Sequence, residues 1–133
     1  MWNAETFPNP KNLTDLLEFK RRKLVTIIDP HIFADTSYEI ANILSKNGKL
    51  PYILSYLDCL VKTSDGNQNF IGQCWPGTSY YSDFLNPNIQ SIYNKLFKNE
   101  NYFHNAQNIH TWIDMNEPSV FLSEETTMPP FAK

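Results

Sequence analysis

Leu24-Val25-Thr26-Ile27-Ile28-Asp29-Pro30 is a short β-branched run without polar alternation that stops at an aspartate and a proline. A strand that alternates apolar and polar residues buries one face, whereas an unbroken run of this kind reads as a strand covered on both faces of a parallel sheet. Ile109-His110-Thr111-Trp112-Ile113-Asp114 repeats the design at the other end of the chain, again closing on an aspartate. Helical patterns fill the interval, so the order is strand, crossover, strand. Such crossovers leave the two strands parallel in one sheet and place Asp29 and Asp114 at the same strand-end edge.

Working outward, Asn9-Pro10 reads as an N-cap followed by the first helical residue, with Leu13, Leu16, Leu17 and the stem of Lys20 forming one face of a helix over residues 10 to 21. The cations from Lys20 to Lys23 then suit a helix C-terminus, where they complement the dipole. Thr36 and Glu39 fit a capping box, Ile40, Ile43 and Leu44 make an apolar stripe, and Gly48 stands where the second helix would end. Asp65-Gly66 predicts a hairpin between Cys59 and Cys74. On that hairpin Cys59 falls opposite Gly72 rather than Cys74, which argues against a disulfide. Asn86-Pro87 opens a third helix bearing Ile89, Ile92, Tyr93, Leu96 and Phe97.

Composition sets outer limits. With 133 residues, 41% hydrophobic and 14% aromatic, the chain has the material for a core. A net charge of −3 and a pI near 5.5 argue against nucleic acid. No stretch is long and apolar enough for a membrane span, the best candidate, Leu50 to Val61, being broken by Ser55 and Asp58. Met1 to Glu5 has neither the basic start nor the apolar core of a secretory signal, and Phe131-Ala132-Lys133 is no retention signal. The sequon Asn12-Leu13-Thr14 is a weak sign of a secretory history.

Two carboxylates near one strand end, Asp114 and Glu117, are what glycosidic bond cleavage requires, one to attack and one to protonate. Read alone, Asp114 could as well cap a turn and Glu117 be solvated. The longer string Trp112-Ile113-Asp114-Met115-Asn116-Glu117-Pro118-Ser119-Val120-Phe121 resembles the nucleophile signature of the retaining α-glucosidases of glycoside hydrolase family 31. Lys20 to Val25, Ile28-Asp29-Pro30-His31-Ile32, Cys74-Trp75-Pro76-Gly77 and Asp83-Phe84-Leu85-Asn86-Pro87 match that family in order, and the likeness runs from Trp2 to Met128. Within the family, Asn116 to Phe121, Glu125 and Thr127-Met128-Pro129 favour the glucosidase II branch.

The resemblance implies an α/β fold: residues 1 to 133 form part of a TIM (β/α)8 barrel, a βαβ segment with an inserted β-hairpin. It implies hydrolysis of O-glycosyl bonds, with Asp114 as nucleophile and Glu117 supporting it. Asp29 grips the substrate, and Ile27, Trp75, Trp112 and Met115 line the sugar pocket. The implied substrate is an α-glucoside, specifically a glucosylated N-linked glycan, and the implied setting is the endoplasmic reticulum lumen with a non-catalytic β subunit. No metal or cofactor is implied, although His31, His104 and His110 with Asp29 invite a metal reading; zinc wants three or four convergent ligands.

Two departures from the family pattern stand out. The acid/base aspartate of the family falls beyond Lys133, so the isolated polypeptide is expected to be inactive. Between Gly48 and Lys62 the segment Pro51 to Asp58 has no counterpart in the family pattern. A second function class stays open on the residues alone: a sugar-binding or degenerate glycosidase-like protein that keeps Asp29, Trp75 and Trp112 but does no chemistry.

Overall fold

The computed structural model describes residues 2–45, 58–98, 102, 108–123 and 128–132. These fall into two compact units, one of Met1–Ile28 with Gln90–Asp114, the other of Asp29–Ile89 with Met115–Lys133. Gly48, most of the Pro51 to Asp58 segment, His104, Glu125 and Thr127 lie outside the described residues.

The first unit is built on the parallel pair read from the sequence. Strand β1 (Leu24–Ile28) runs beside strand β5 (Ile109–Ile113), with Leu24 opposite Ile109, Ile27 opposite Trp112 and Ile28 opposite Ile113. Helix α1 (Pro10–Phe19) precedes β1. The Asn9 side chain accepts from the Asn12 backbone N–H at 3.2 Å and Pro10 takes the first turn, as its fixed φ favours.

The face α1 turns inward keeps Leu13 and Leu17 half-buried as expected but not Leu16. Pro10 and Thr14 are its buried residues, while Leu16 is 56% exposed. Thr14 satisfies its hydroxyl by donating to the Lys11 carbonyl, and its own carbonyl accepts from the Asn108 side chain at 2.8 Å, so a polar residue can sit where Leu16 was expected. Burial of Thr14 also hides the hydroxyl of the Asn12 sequon in the folded chain.

At its C-terminus α1 closes with the reciprocal pair of bonds that defines a Schellman motif. Arg22 N–H donates to Leu17 O and Arg21 N–H to Glu18 O, both at 2.8 Å. Arg21 takes the left-handed position, φ 55°, that glycine usually fills. Arg21→Gly is therefore expected to stabilise the chain by up to about 1 kcal/mol, the steric penalty relieved less glycine's extra unfolded entropy. A urea titration checks the sign, and Arg21→Val should go the other way. Lys20 caps the same end, with its ammonium 5.6 Å from the Phe19 ring centroid.

β1 is not covered on both faces. Thr26 bonds its hydroxyl to the Tyr102 hydroxyl at 2.6 Å, but Val25 and Ile27, which point the other way, are 58% and 51% exposed, as is Trp112 at 56%. A two-stranded sheet cannot cover that face by itself.

The second unit holds an antiparallel sheet in the order β2-β4-β3, made of β2 (His31–Phe33), β3 (Gly72–Cys74) and β4 (Gly77–Tyr81). A hairpin that the residues did not predict joins β3 to β4. Its turn is Trp75-Pro76, with Cys74 opposite Gly77, which has φ 94°. The hairpin around Asp65-Gly66 forms as expected over its inner part, with Thr63 N–H donating to Gln68 O at 3.0 Å, a Lys62–Asn69 bridge and Phe70 N–H donating to Val61 O at 2.8 Å, but it stops there, since Leu60 bridges Ser82. The ladder is interrupted because the Leu60 region pairs with the end of β4. Cys59 and Cys74 are both buried and free, but not by the expected register: Gly72 pairs with Ser79, and Cys59 O accepts from Asp83 N–H.

Helix α2 (Glu39–Leu44) buries Ala41, Ile43 and Leu44, but its N-cap is Tyr38 and not Thr36. Asp35 diverts the chain first by accepting from the Ser37 N–H at 2.6 Å, and the Thr36 carbonyl is taken by the Asn42 side chain, so no capping box forms. Helix α3 (Ile89–Leu96) begins two residues after the expected Pro87, because Asn86 closes a turn on Ile89 N–H at 3.0 Å. Phe70, Tyr81 and Val120 form the core of the second unit, with Val61, Met128 and Ala132 packed against it. No helix among the described residues is long and apolar enough to cross a membrane.

Candidate active site

Parallel pairing ends β1 and β5 side by side, at Ile28 and Ile113. Each strand is followed in the chain by an aspartate. The Asp114 N–H extends the ladder by donating to Ile28 O at 3.4 Å, and Ile27 and Trp112, register partners, present their side chains on the exposed face just before that edge. In this architecture the C-terminal strand edge is where reactive groups gather.

The second unit carries the remaining candidates. Met115 sits at φ 61°, a left-handed conformation costly for a side-chain residue, and its carbonyl accepts from the Ser119 N–H at 3.1 Å. Glu117 within this turn is exposed and precedes a cis bond to Pro118. Trp75, at the tip of the β3–β4 turn, is 71% exposed and meets the edge of Phe121 with ring centroids 4.7 Å apart and planes at 82°. Both tryptophans are exposed in this chain, Trp75 at 71% and Trp112 at 56%.

Around Asp29 the structure adds residues to the site. His31 Nε2 lies 3.5 Å from Asp29 Oδ2, and the His31 side chain is 3% exposed. Burial lowers the His31 pKa below its ordinary 6.5, outweighing the opposing pull of Asp29. Cys74 is close enough that burial, with the charges of Asp29 and Glu117, pushes its thiol pKa up against a Trp75 backbone hydrogen bond. Apart from their places in the family-matching motifs, the residues alone suggested for His31 a metal role and for Cys74 a disulfide. Among the described residues no three His, Cys, Asp or Glu side chains converge to hold a metal.

Lowered His31 basicity makes stability pH-dependent with a definite sign. Between the unfolded value of about 6.5 and the lower folded value the unfolded state binds the extra proton, so stability falls as pH falls through that window. The slope is at most about 1.4 kcal/mol per pH unit. Asp65, held at about 2 by hydrogen bonds led by Thr63, has its window lower, so its loss comes only below the ordinary carboxylate range. Urea midpoints from pH 7 to pH 5 should decline for the unmodified chain and flatten in His31→Gln.

Residues 1–132 match the glycosyl hydrolases family 31 TIM-barrel domain. The chain belongs to glycosyl hydrolase family 31. Neutral alpha-glucosidase AB of Mus musculus is 42% identical over 127 residues, which cover 96% of this chain and 12% of that protein. Glucosidase 2 subunit alpha of Schizosaccharomyces pombe is 39% identical over 96% of this chain and 13% of its own. A crystal structure of an ER glucosidase II heterodimeric complex, catalytic subunit with the binding domain of the regulatory subunit, superposes with a TM-score of 0.84 at 39% identity, covering 99% of this chain and 13% of that chain. A family 31 α-glucosidase from Bacteroides thetaiotaomicron gives 0.64 at 31%, over 86% of this chain and 17% of its own.

This family 31 chain thus spans 12 to 13% of the length of the curated relatives quoted. It is part of an α/β barrel domain, and its described residues do not close a barrel.

Proposed function

We propose that this chain supplies the nucleophile-bearing part of a retaining α-glucosidase pocket of the glucosidase II type, residues 1 to 133 being one piece of the catalytic barrel. The observation that carries the reading is the parallel β1–β5 pair, whose adjacent ends each lead into an aspartate, inside a sequence of family 31. Asp114 attacks the anomeric carbon as the bond to the leaving oxygen breaks; water then cleaves the glycosyl-enzyme ester, with net retention. Asp29 holds sugar hydroxyls and stabilises positive charge in the transition state. Trp75 and Trp112 offer flat apolar faces to the pyranose, Ile27 and Met115 complete the wall, and Glu117 supports the Asp114 turn.

The likeness to a glucosidase II complex and to a Glucosidase 2 subunit alpha supports a glucosylated N-linked glycan as substrate, a non-catalytic β subunit as partner, and the endoplasmic reticulum lumen as the place of action. The resemblance matches no residue of this chain to the group that protonates the leaving oxygen. The purified 133-residue chain is therefore expected to show no turnover of an α-glucoside, since general acid catalysis is worth about 10² to 10⁴-fold. Turnover that Asp114→Asn abolishes would contradict that.

Activity itself is tested by exchange. This chain replaces the matching segment of the Schizosaccharomyces pombe relative, and the product is assayed on an aryl α-glucoside. Turnover lost on Asp114→Asn supports the reading. An exchanged protein that binds deoxynojirimycin but turns over nothing identifies the sugar-binding alternative.

A further inference from the structure

Asp29 has an unusual surrounding for a carboxylate at the end of a parallel strand. Its Oδ1 is buried with no hydrogen-bond partner among the described residues, and so is Nδ1 of His31. Between them stands one close approach, Nε2 of His31 to Oδ2 of Asp29 at 3.5 Å. Burial favours the neutral imidazole, which carries a single N–H. With Nδ1 facing no acceptor and Nε2 facing a carboxylate, the proton belongs on Nε2.

The imidazole is in turn held from below. His31 opens β2 and pairs with Tyr81 of β4, and the two rings meet at 6.5 Å and 64°. Tyr81 is 1% exposed, and its hydroxyl donates to Ser119 O at 2.8 Å. The sheet therefore fixes His31, while Pro30 between the two residues is buried and limits the backbone.

We infer that His31 is a positioning residue for Asp29, donating from Nε2 to the carboxylate so that the sheet, and not the loop after β1, sets its orientation. The inference rests on the functional reading above for its catalytic consequence. His31 does not touch the sugar; it acts through Asp29.

The test uses the exchanged enzyme, with rates normalised to active sites titrated by a slow fluoro-glucosyl substrate, so that unfolded protein does not count. His31→Leu, which cannot donate, is expected to lower kcat/KM on the order of 10²-fold and to weaken deoxynojirimycin inhibition in parallel, the scale of a misplaced binding group. His31→Gln keeps a donor and should recover most of the loss. In an Asp29→Asn background His31→Leu should add little, since the two act as one unit. Parental kcat/KM in His31→Leu, recovery no better in His31→Gln, or full additivity with Asp29→Asn would each overturn the inference.

If His31→Leu yields no folded enzyme, the His31→Gln and Asp29→Asn arms decide together with ¹⁵N NMR of the 133-residue chain with and without Asp29→Asn. A neutral ring protonated on Nε2, with shifts that move in Asp29→Asn, supports the pairing; an Nδ1–H ring insensitive to Asp29→Asn overturns it. Turnover that Asp114→Asn leaves intact defeats the functional reading while the NMR result still stands on its own.

Discussion

Asp114→Gly in the exchanged enzyme is expected to lower kcat on the order of 10⁴-fold or more, the scale on which removal of a nucleophile acts. The space vacated by the Asp114 side chain is expected to admit a small anion. Added azide should restore turnover of an activated α-glucoside by attacking the anomeric carbon where the carboxylate stood, giving the β-glucosyl azide as the leaving group departs. Asp114→Asn should be as inactive but not rescued, because the amide fills the space. Glu117→Gln, at the exposed position beyond the left-handed Met115, should lose less and show no rescue. If azide rescues Glu117→Gly and not Asp114→Gly, the two carboxylates have been assigned the wrong way round.

The second large effect concerns what holds the sheet together. Tyr81 is fully buried, packs on Phe70 with centroids 5.7 Å apart, and spends its hydroxyl on Ser119 O; burial pushes its pKa up to about 12. Room for the ring comes from Gly72, where an added Cβ would stand 2.9 Å from Tyr81 Cε2 and 3.0 Å from Val120 Cγ1. Tyr81→Ala is expected to cost about 3 to 5 kcal/mol, the range for deleting a buried aromatic. Against a whole-domain stability of about 5 to 15 kcal/mol, that is enough to unfold the unit under mild conditions.

Tyr81→Phe keeps the ring but leaves the Ser119 carbonyl without its donor, for about 1 to 3 kcal/mol. Gly72→Ala should cost a similar amount through overpacking, and part of that cost should disappear in the Tyr81→Ala background, where the ring it strikes is gone. Urea unfolding of the four variants measures all of this. Strict additivity would show that Gly72 and Tyr81 do not share the space assigned to them.

Much of the scaffold is legible in the residues because it is local. Asn9-Pro10 announces the start of α1, the apolar runs at Leu24 and Ile109 announce the two strands, and the crossover between them dictates parallel pairing. The signature from Trp112 to Phe121 likewise places the chain in its family without any coordinates. What failed depended on competition between neighbours. Thr36 loses its capping role to the Asp35 turn, Leu16 loses the inward position to Thr14, and the Asp65-Gly66 hairpin ends short of Cys59 because Leu60 pairs with Ser82. In each case the rival is a hydrogen bond or a strand pairing whose partner is invisible from the local pattern.

The sequence by itself determined the parallel β1–β5 frame, the two strand-end aspartates and the family, since periodicity and motif are properties of the chain. Only the tertiary structure decided that β2, β3 and β4 form one sheet, that His31 comes in beside Asp29, and that Ile27 and Trp112 stand exposed beside one another. Those facts depend on which surfaces find partners in three dimensions. A buried imidazole two residues from a carboxylate is recognised only when the sheet beneath it is seen.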